Sequence, residues 1–157
     1  MKIALGCDEA AFELKEIIKK HLLARGLDVT DFGTHDTKPV IYPDIAFAVA
    51  EQVAQGKFDR AVLLCGTGIG MAISANKVPG VRAAQCHDTY SAERASKSND
   101  AQIITIGARV VGPELAKAIV DKWLNSEFSG GPSQSKLKRI EEYESNLRNT
   151  DNPKNQT

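Results

Sequence analysis

Apolar and polar positions follow two alternating periods along this chain, and the points where the period switches mark out its elements. Lys2 to Cys7 is a short apolar run closed by Asp8. Leu14, Ile17, Ile18 and Leu22 then recur at i, i+3, i+4 and i+8, which places them on one helix face. Lys15, Glu16, Lys19 and Lys20 fall on the solvated side, and Gly26 ends the helix. Leu27 to Phe32 reads as a strand, and Pro43 and Asp44 open a second amphipathic helix carrying Ile45, Ala46, Val49 and Val53 to near Gly56. Arg60 to Cys65 is apolar after its first residue, as a strand buried on both faces should be. A Gly-rich turn and short helix follow, then a strand from Val81 to Cys86, a helix from about Thr89, a strand from Ile103 to Ile106 and a helix from Pro113 to Leu124.

This rhythm predicts an α/β fold of the Rossmann-like, three-layer kind, with a parallel five-stranded sheet covered by helices on both sides. One more helix, Lys136 to about Arg148, lies outside the rhythm and carries Leu137, Ile140, Tyr143 and Leu147 along a stripe. It can cap its own subunit or pack on a partner, and the pattern favours neither. The reading is one domain over residues 1–148 and a frayed polar tail over 149–157.

Composition narrows the classes of function. A chain of 157 residues, 42% hydrophobic and 25% charged, can bury a core without disulfides or structural metal. Lys and Arg number 20 and Asp and Glu number 20, so the broad positive footprint of a nucleic-acid binder is missing. No apolar run approaches the roughly 20 residues needed to span a bilayer, and the opening MKIALGCDEA meets an acidic pair too early for a secretory signal. The three cysteines, Cys7, Cys65 and Cys86, form no C-x-x-C pair, which fits a reduced cytoplasmic protein.

In an open parallel sheet ligands bind beyond the carboxyl ends of the strands. Standing there are Asp8 and Glu9, then Cys65-Gly66-Thr67-Gly68-Ile69-Gly70, then His87-Asp88, then Gly107-Ala108-Arg109. The glycines let backbone N–H groups turn toward one point, and the following helix adds its positive end, so the loop suits a negatively charged oxygen. A dinucleotide fingerprint would need a third glycine where Met71 stands, and a P-loop would need a lysine well before Lys77. Asp88 stands at about the distance of a ribose-binding acid, so the dinucleotide reading is weakened rather than eliminated, and the third reading is an oxyanion hole beside a cysteine base or nucleophile. Cys7 and Cys86 read as core thiols, whereas for Cys65 a core and a catalytic role stand level. His21 and His35 read as structural or solvated and pair with nothing at metal-ligand spacing, whereas His87 ends a strand and reads either as structural or as lining the crevice.

Gly6 to Ala10, Tyr42-Pro43-Asp44, Leu64 to Met71, Ala75 to Ala84 and Gly107 to Gly112 together resemble the ribose-5-phosphate isomerase B and galactose-6-phosphate isomerase family, colinearly from Met1 to about Phe128. The resemblance implies an aldose–ketose isomerase without metal or cofactor, working as a homodimer or dimer of dimers whose active sites draw on two subunits. It implies Cys65 as the base that moves a proton between neighbouring carbons through an enediolate, with the Gly66, Gly68 and Gly70 region holding the enediolate oxygen. Thr67 and Asp8 would contact sugar oxygens and Tyr42 would line the pocket. Asn99 and Arg109 would reach in from the partner subunit, Arg109 at the phosphate end.

Several positions depart from the ribose-5-phosphate pattern. The family's Asp-His-Ala-Gly is here Asp8-Glu9-Ala10-Ala11, and Glu9 would repel phosphate unless protonated or paired with Arg or Lys. The ring-opening histidine is here Ser98, which cannot readily make that proton transfer. Gly-Gly-Arg-His with a following arginine becomes Gly130-Gly131-Pro132-Ser133 and Lys136, so one phosphate-binding arginine is gone and the other is a lysine. A sugar that cannot close a furanose needs no ring opener. His87 to Ala95, Ser98-Asn99 and Ala101 to Thr105 also look like the erythrulose-4-phosphate isomerase branch. The resulting expectation is an open-chain substrate such as a tetrulose 4-phosphate, with ribose 5-phosphate as the alternative and a silent or partner-dependent subunit as a third reading.

Overall fold

The computed structural model describes residues 1–150. Five strands, β1 (Lys2–Cys7), β2 (Asp28–Asp31), β3 (Arg60–Cys65), β4 (Ala83–Gln85) and β5 (Ile103–Gly107), form one parallel sheet in the order β2-β1-β3-β5-β4. The helices are α1 (Phe12–Ala24), α2 (Tyr42–Ala54), α3 (Ile69–Ala75), α4 (Thr89–Lys97), α5 (Pro113–Leu124) and α6 (Gln134–Thr150). The α/β architecture is as the sequence rhythm predicts. The outer strands are shorter than their apolar runs, since each finds a partner on one side only. The helix expected from Lys136 starts two residues earlier and continues to Thr150, and the rest of the expected polar tail lies outside the described residues.

Alternate residues of the central strands feed two cores. Ile3, Leu5, Val62, Leu64, Ile104 and Ile106 pack with α1, α4 and α5, around the fully buried Trp123. Ala4, Leu63, Cys65 and Ile103 face α2 and α3. Each face supplies the burial that drives folding, on the order of 2 kcal/mol for each large side chain. The indole of Trp123 donates to the Ala101 carbonyl at 3.1 Å, so its polar edge is not left unpaired.

One expectation fails outright. Lys15 reads as lying on the solvated side of α1, but its side chain has no exposed surface. Its ammonium lies 2.9 and 2.8 Å from the two Asp31 carboxylate oxygens and 2.6 Å from the Thr34 carbonyl. The register of α1 turns this lysine toward the end of β2, where charge and hydrogen bonds offset its burial. The neighbouring Lys19 shares Asp31 at 2.8 Å.

On α6 only Leu137 of the apolar stripe is buried, whereas Ile140 and Tyr143 are 54% and 60% exposed. The helix is tied to the body by polar contacts instead, with Glu144 accepting from the Gly80 amide and Glu141 facing Arg82. No helix among the described residues is long and apolar enough to cross a membrane.

Candidate active site

The strand order reverses between β1 and β3, so the loops that leave these two strands diverge and open a crevice. Asp8 and Cys65 stand on either side of it. Register keeps them close: Cys7 lies opposite Leu64, and the Asp8 amide continues the ladder to the Leu64 carbonyl at 3.1 Å. The Asp8 side chain caps the following turn, accepting from the Ala11 amide at 3.1 Å. Burial, and next the adjacent Glu9 charge, push its carboxyl above the ordinary range, while amides of Ala11, Ala10 and Gly66 pull the other way.

Cys65 ends β3 and is 5% exposed. Its Sγ accepts a hydrogen bond from the Gly68 amide at 3.0 Å. Gly68 can bend back in this way because it adopts φ +76°, and a Cβ there would come within 3.0 Å of the Ile106 backbone. The loop is held from below as well. The Thr105 hydroxyl donates to the Gly68 carbonyl at 2.8 Å and Gln85 donates to the Thr67 carbonyl at 2.7 Å. The Thr67 hydroxyl accepts from the Ile69 amide at 3.3 Å.

The amides from Gly66 to Gly70, expected to hold the enediolate oxygen, differ in the partners they have here. Gly66 faces Asp8, Gly68 is committed to sulfur, and Ile69 is committed to Thr67. The first turn-to-turn bond of α3 runs from the Ala72 amide to the Gly68 carbonyl, so Gly70 donates to no carbonyl within the helix. Tyr42 leans over that amide: a Cβ on Gly70 would lie 2.6 Å from its ring and hydroxyl.

Arg109 reaches the loop from its own chain. The Ala108 and Arg109 amides donate to the Cys65 and Gly66 carbonyls at 2.9 and 3.0 Å, and the guanidinium stands 3.3 Å from where a Gly66 Cβ would be. The β3–β5 pairing thus lays Arg109 beside the Cys65 loop of its own chain. Among the described residues its guanidinium has no ion-pair partner.

Asn99 and Lys136 are not brought to this loop. Helix α4 runs back along the sheet, and Asn99 follows its last turn, with its carbonyl accepting from Arg82 just ahead of β4. The start of α6 borders the same end, where Gln134 and Leu137 share a cleft with Asp100. That is the amino end of the strands. Five residue steps along β3 separate it from Cys65, roughly 17 Å.

The two other thiols keep the core role expected of them, since burial pushes both Cys7 and Cys86 up to about 12. His87 is structural, with Nε2 taking the Gly107 amide at 3.0 Å. Among the described residues Glu9 finds neither arginine nor lysine and instead accepts from the Val40 amide at 3.2 Å, tying down the segment that leads into Tyr42. Sequence patterns gave no hint of this tie or of the supports from Gln85 and Thr105, because each joins residues far apart in the chain. Among the described residues no three His, Cys, Asp or Glu side chains stand together as metal ligands.

Residues 3–140 match the model of the Ribose/Galactose Isomerase family. The chain is 55% identical over 144 residues to ribose-5-P isomerase B of Listeria innocua, covering 92% of this chain and 97% of that protein. It is 56% identical over 145 residues to D-erythrulose-4-phosphate isomerase of Pectobacterium atrosepticum, covering 92% and 95%. The solved ribose-5-phosphate isomerase B of Clostridium thermocellum superposes with a TM-score of 0.92 at 47% identity, covering 94% of this chain and 99% of that one. With a switch-point crevice, a cysteine at its lip and matches that span nearly its whole length, the chain belongs to the ribose/galactose isomerase family of sugar-phosphate isomerases.

Proposed function

We propose that this enzyme interconverts the aldose and ketose forms of an open-chain four-carbon sugar phosphate, with Cys65 as the base. The observation that carries the reading is the Gly68 amide aimed at the Cys65 sulfur at 3.0 Å, at the head of a loop whose Gly70 amide has no carbonyl acceptor within its helix. Thiolate Sγ takes the proton from the carbon beside the carbonyl, the electron pair moves onto the carbonyl oxygen as an enediolate, and the same proton returns to the neighbouring carbon. The Gly70 amide holds the oxygen on which charge develops. Asp8 and Thr67 orient sugar hydroxyls, Tyr42 covers the crevice, and Arg109 balances the substrate's negative charge.

The working unit is a homodimer or a pair of dimers. Asn99 and Lys136 lie at the far end of the sheet from Cys65, so only another copy can present them to it. The exposed Ile140 and Tyr143 supply apolar surface for such packing. Three free thiols support a reducing, cytoplasmic setting.

Ser98 supports the open-chain choice, since a serine does not open a furanose, and the relative named for erythrulose 4-phosphate supports the carbon number. Ribose 5-phosphate is the second reading, on the comparable identity to a protein bearing that name. NMR-detected exchange in D2O separates them, with tetrulose 4-phosphates, ribose 5-phosphate and ribulose 5-phosphate offered in parallel. Exchange and turnover of four-carbon substrates, lost in Cys65→Ala, are expected. Efficient turnover of ribose 5-phosphate would overturn the inference from Ser98, and absence of exchange with every substrate would overturn the role of Cys65.

A further inference from the structure

Arg94 sits on α4 with its hydrogen bonding incomplete. Its Nε is buried and, among the described residues, has no hydrogen-bond partner. Its Nη1 reaches the Ser98 hydroxyl at 3.5 Å, the outer limit of a hydrogen bond. Its Nη2 donates to Glu93 at 2.8 Å, but that carboxylate also holds Lys122 at 2.5 Å and Lys97 at 3.3 Å. Three cations converge on one acid, so positive charge is in surplus at this end of α4. Lys122 and then Lys97 do most to hold the Glu93 carboxyl down at about 2, so Glu93 stays ionised and paired if Arg94 turns away.

Tyr90, Arg94 and Ser98 are spaced four apart and share one helix face. Tyr90 is 73% exposed, and the guanidinium lies 5.9 Å from its ring. The face therefore presents an aromatic ring, a guanidinium with unspent donors and the Ser98-Asn99 pair in one line.

We propose that Arg94 anchors the substrate phosphate, carried with Ser98 and Asn99 from one protomer to the Cys65 loop of another. The proposal rests on the four-carbon reading above. With the reacting carbons fixed beside Cys65, chain length decides where the phosphate falls. In a furanose 5-phosphate the ring oxygen is O4, which a ring-opening group must reach, and the phosphate lies one carbon beyond. In a tetrulose 4-phosphate O4 is itself the ester oxygen, so the phosphate falls where a ring opener would otherwise work. That place is position 98, where a small serine leaves room and the Arg94 guanidinium already lies alongside. The same shift leaves the position one carbon further out without an anion, in keeping with Pro132 standing where the resemblance would put an arginine. Turned toward phosphate, Nε and one Nη form a fork to two oxygens, which supplies the partner that Nε lacks.

The test uses the full native chain, Arg94→Met and Arg94→Lys. Steady-state kinetics are measured on tetrulose 4-phosphates, with inorganic phosphate as competing inhibitor. Arg94→Met is expected to raise KM about 10- to 100-fold, with a smaller fall in kcat, because a charge-assisted contact to substrate is lost. The inhibition constant of inorganic phosphate should rise in parallel, and Arg94→Lys should recover part of both. Mixing Arg94→Met with Cys65→Ala chains should restore activity, since each mixed dimer holds one site with both native residues. An unchanged KM and unchanged phosphate inhibition in Arg94→Met would overturn the proposal. So would mixed dimers, verified by native mass spectrometry, that recover nothing. If Arg94→Met melts far below the native chain, Arg94→Gln carries the same comparison. A native chain idle on every tetrulose 4-phosphate would overturn the substrate reading instead, a result distinct from a role lost at Arg94 alone.

Discussion

Tyr42 closes over Gly70 so tightly that a single methyl group on the glycine would sit 2.6 Å from the tyrosine ring and hydroxyl. The two residues lie on different elements, Tyr42 at the first turn of α2 and Gly70 in the first turn of α3.

Gly70→Ala should therefore act on activity more than on stability. The ring can swing outward, since Tyr42 is 37% exposed, so the melting temperature should move little. Displacing the group that covers the crevice should lower kcat/KM by about 10- to 100-fold, the usual consequence of a misplacement near 1 Å. Kinetics and a thermal melt on the same preparation check this. A large loss of stability with unchanged kcat/KM would show that the contact is structural only.

Lys15→Met should cost about 3 kcal/mol in a denaturant titration, because removing one partner of a buried pair strands the other. Asp31 would retain Lys19 but lose both of its short bonds to Lys15. Acid should act in the same direction. Burial pushes the Asp31 carboxyl up, but hydrogen bonds from Lys15 and Lys19 prevail and its net shift is downward. A carboxylate depressed in the fold stabilises fully above its unfolded value, about 3.9, and loses that contribution as pH falls toward its folded value. The native chain should lose stability steeply below about pH 4, and Lys15→Met should show a shallower acid limb.

Asp8→Asn should separate stability from function. The Asp8 carboxyl is raised in the fold, so its ionised form at neutral pH costs stability, and that cost disappears once the group is protonated. Asparagine caps a turn as well as aspartate does. The variant should melt no lower than the native chain at pH 7, the two should converge near pH 4, and turnover should fall at least 10-fold if Asp8 orients the sugar.

Iodoacetamide should modify Cys65 and spare the other two thiols. Cys7 and Cys86 are 0% and 1% exposed, and burial raises both to about 12. At pH 8 their thiolate fraction is then on the order of one in 10,000. Peptide mass spectrometry should find one carbamidomethyl group per native chain, on Cys65, with activity lost in step. Modification of Cys7 or Cys86 in the folded enzyme would contradict their burial.

Much of this molecule could be read along the chain. The strand Arg60–Cys65 and the helix stripe of Leu14, Ile18 and Leu22 are where periodicity puts them, because both central strands and amphipathic helices declare their buried faces in the sequence. Edge strands were less legible. The Val81–Cys86 run is a strand only over Ala83–Gln85, with single hydrogen bonds to β5 continuing at Arg82 and Cys86 on either side.

The sequence by itself determined the layered α/β architecture, the loop that begins at Cys65 and the family, because each rests on residues adjacent or periodic in the chain. Only the tertiary structure decided where charges and donors end up. Lys15 reads as a surface lysine in the pattern of α1, yet the end of β2 and the loop after it bury it against Asp31. Glu9 reads as a charge needing a cation, yet the fold offers it the Val40 amide. Arg109 is expected to reach a partner's site, and the β3–β5 register lays it beside Gly66 of its own chain. Periodicity is a property of neighbours, whereas a carboxylate's partner is whatever the sheet order and loop paths bring within about 3 Å.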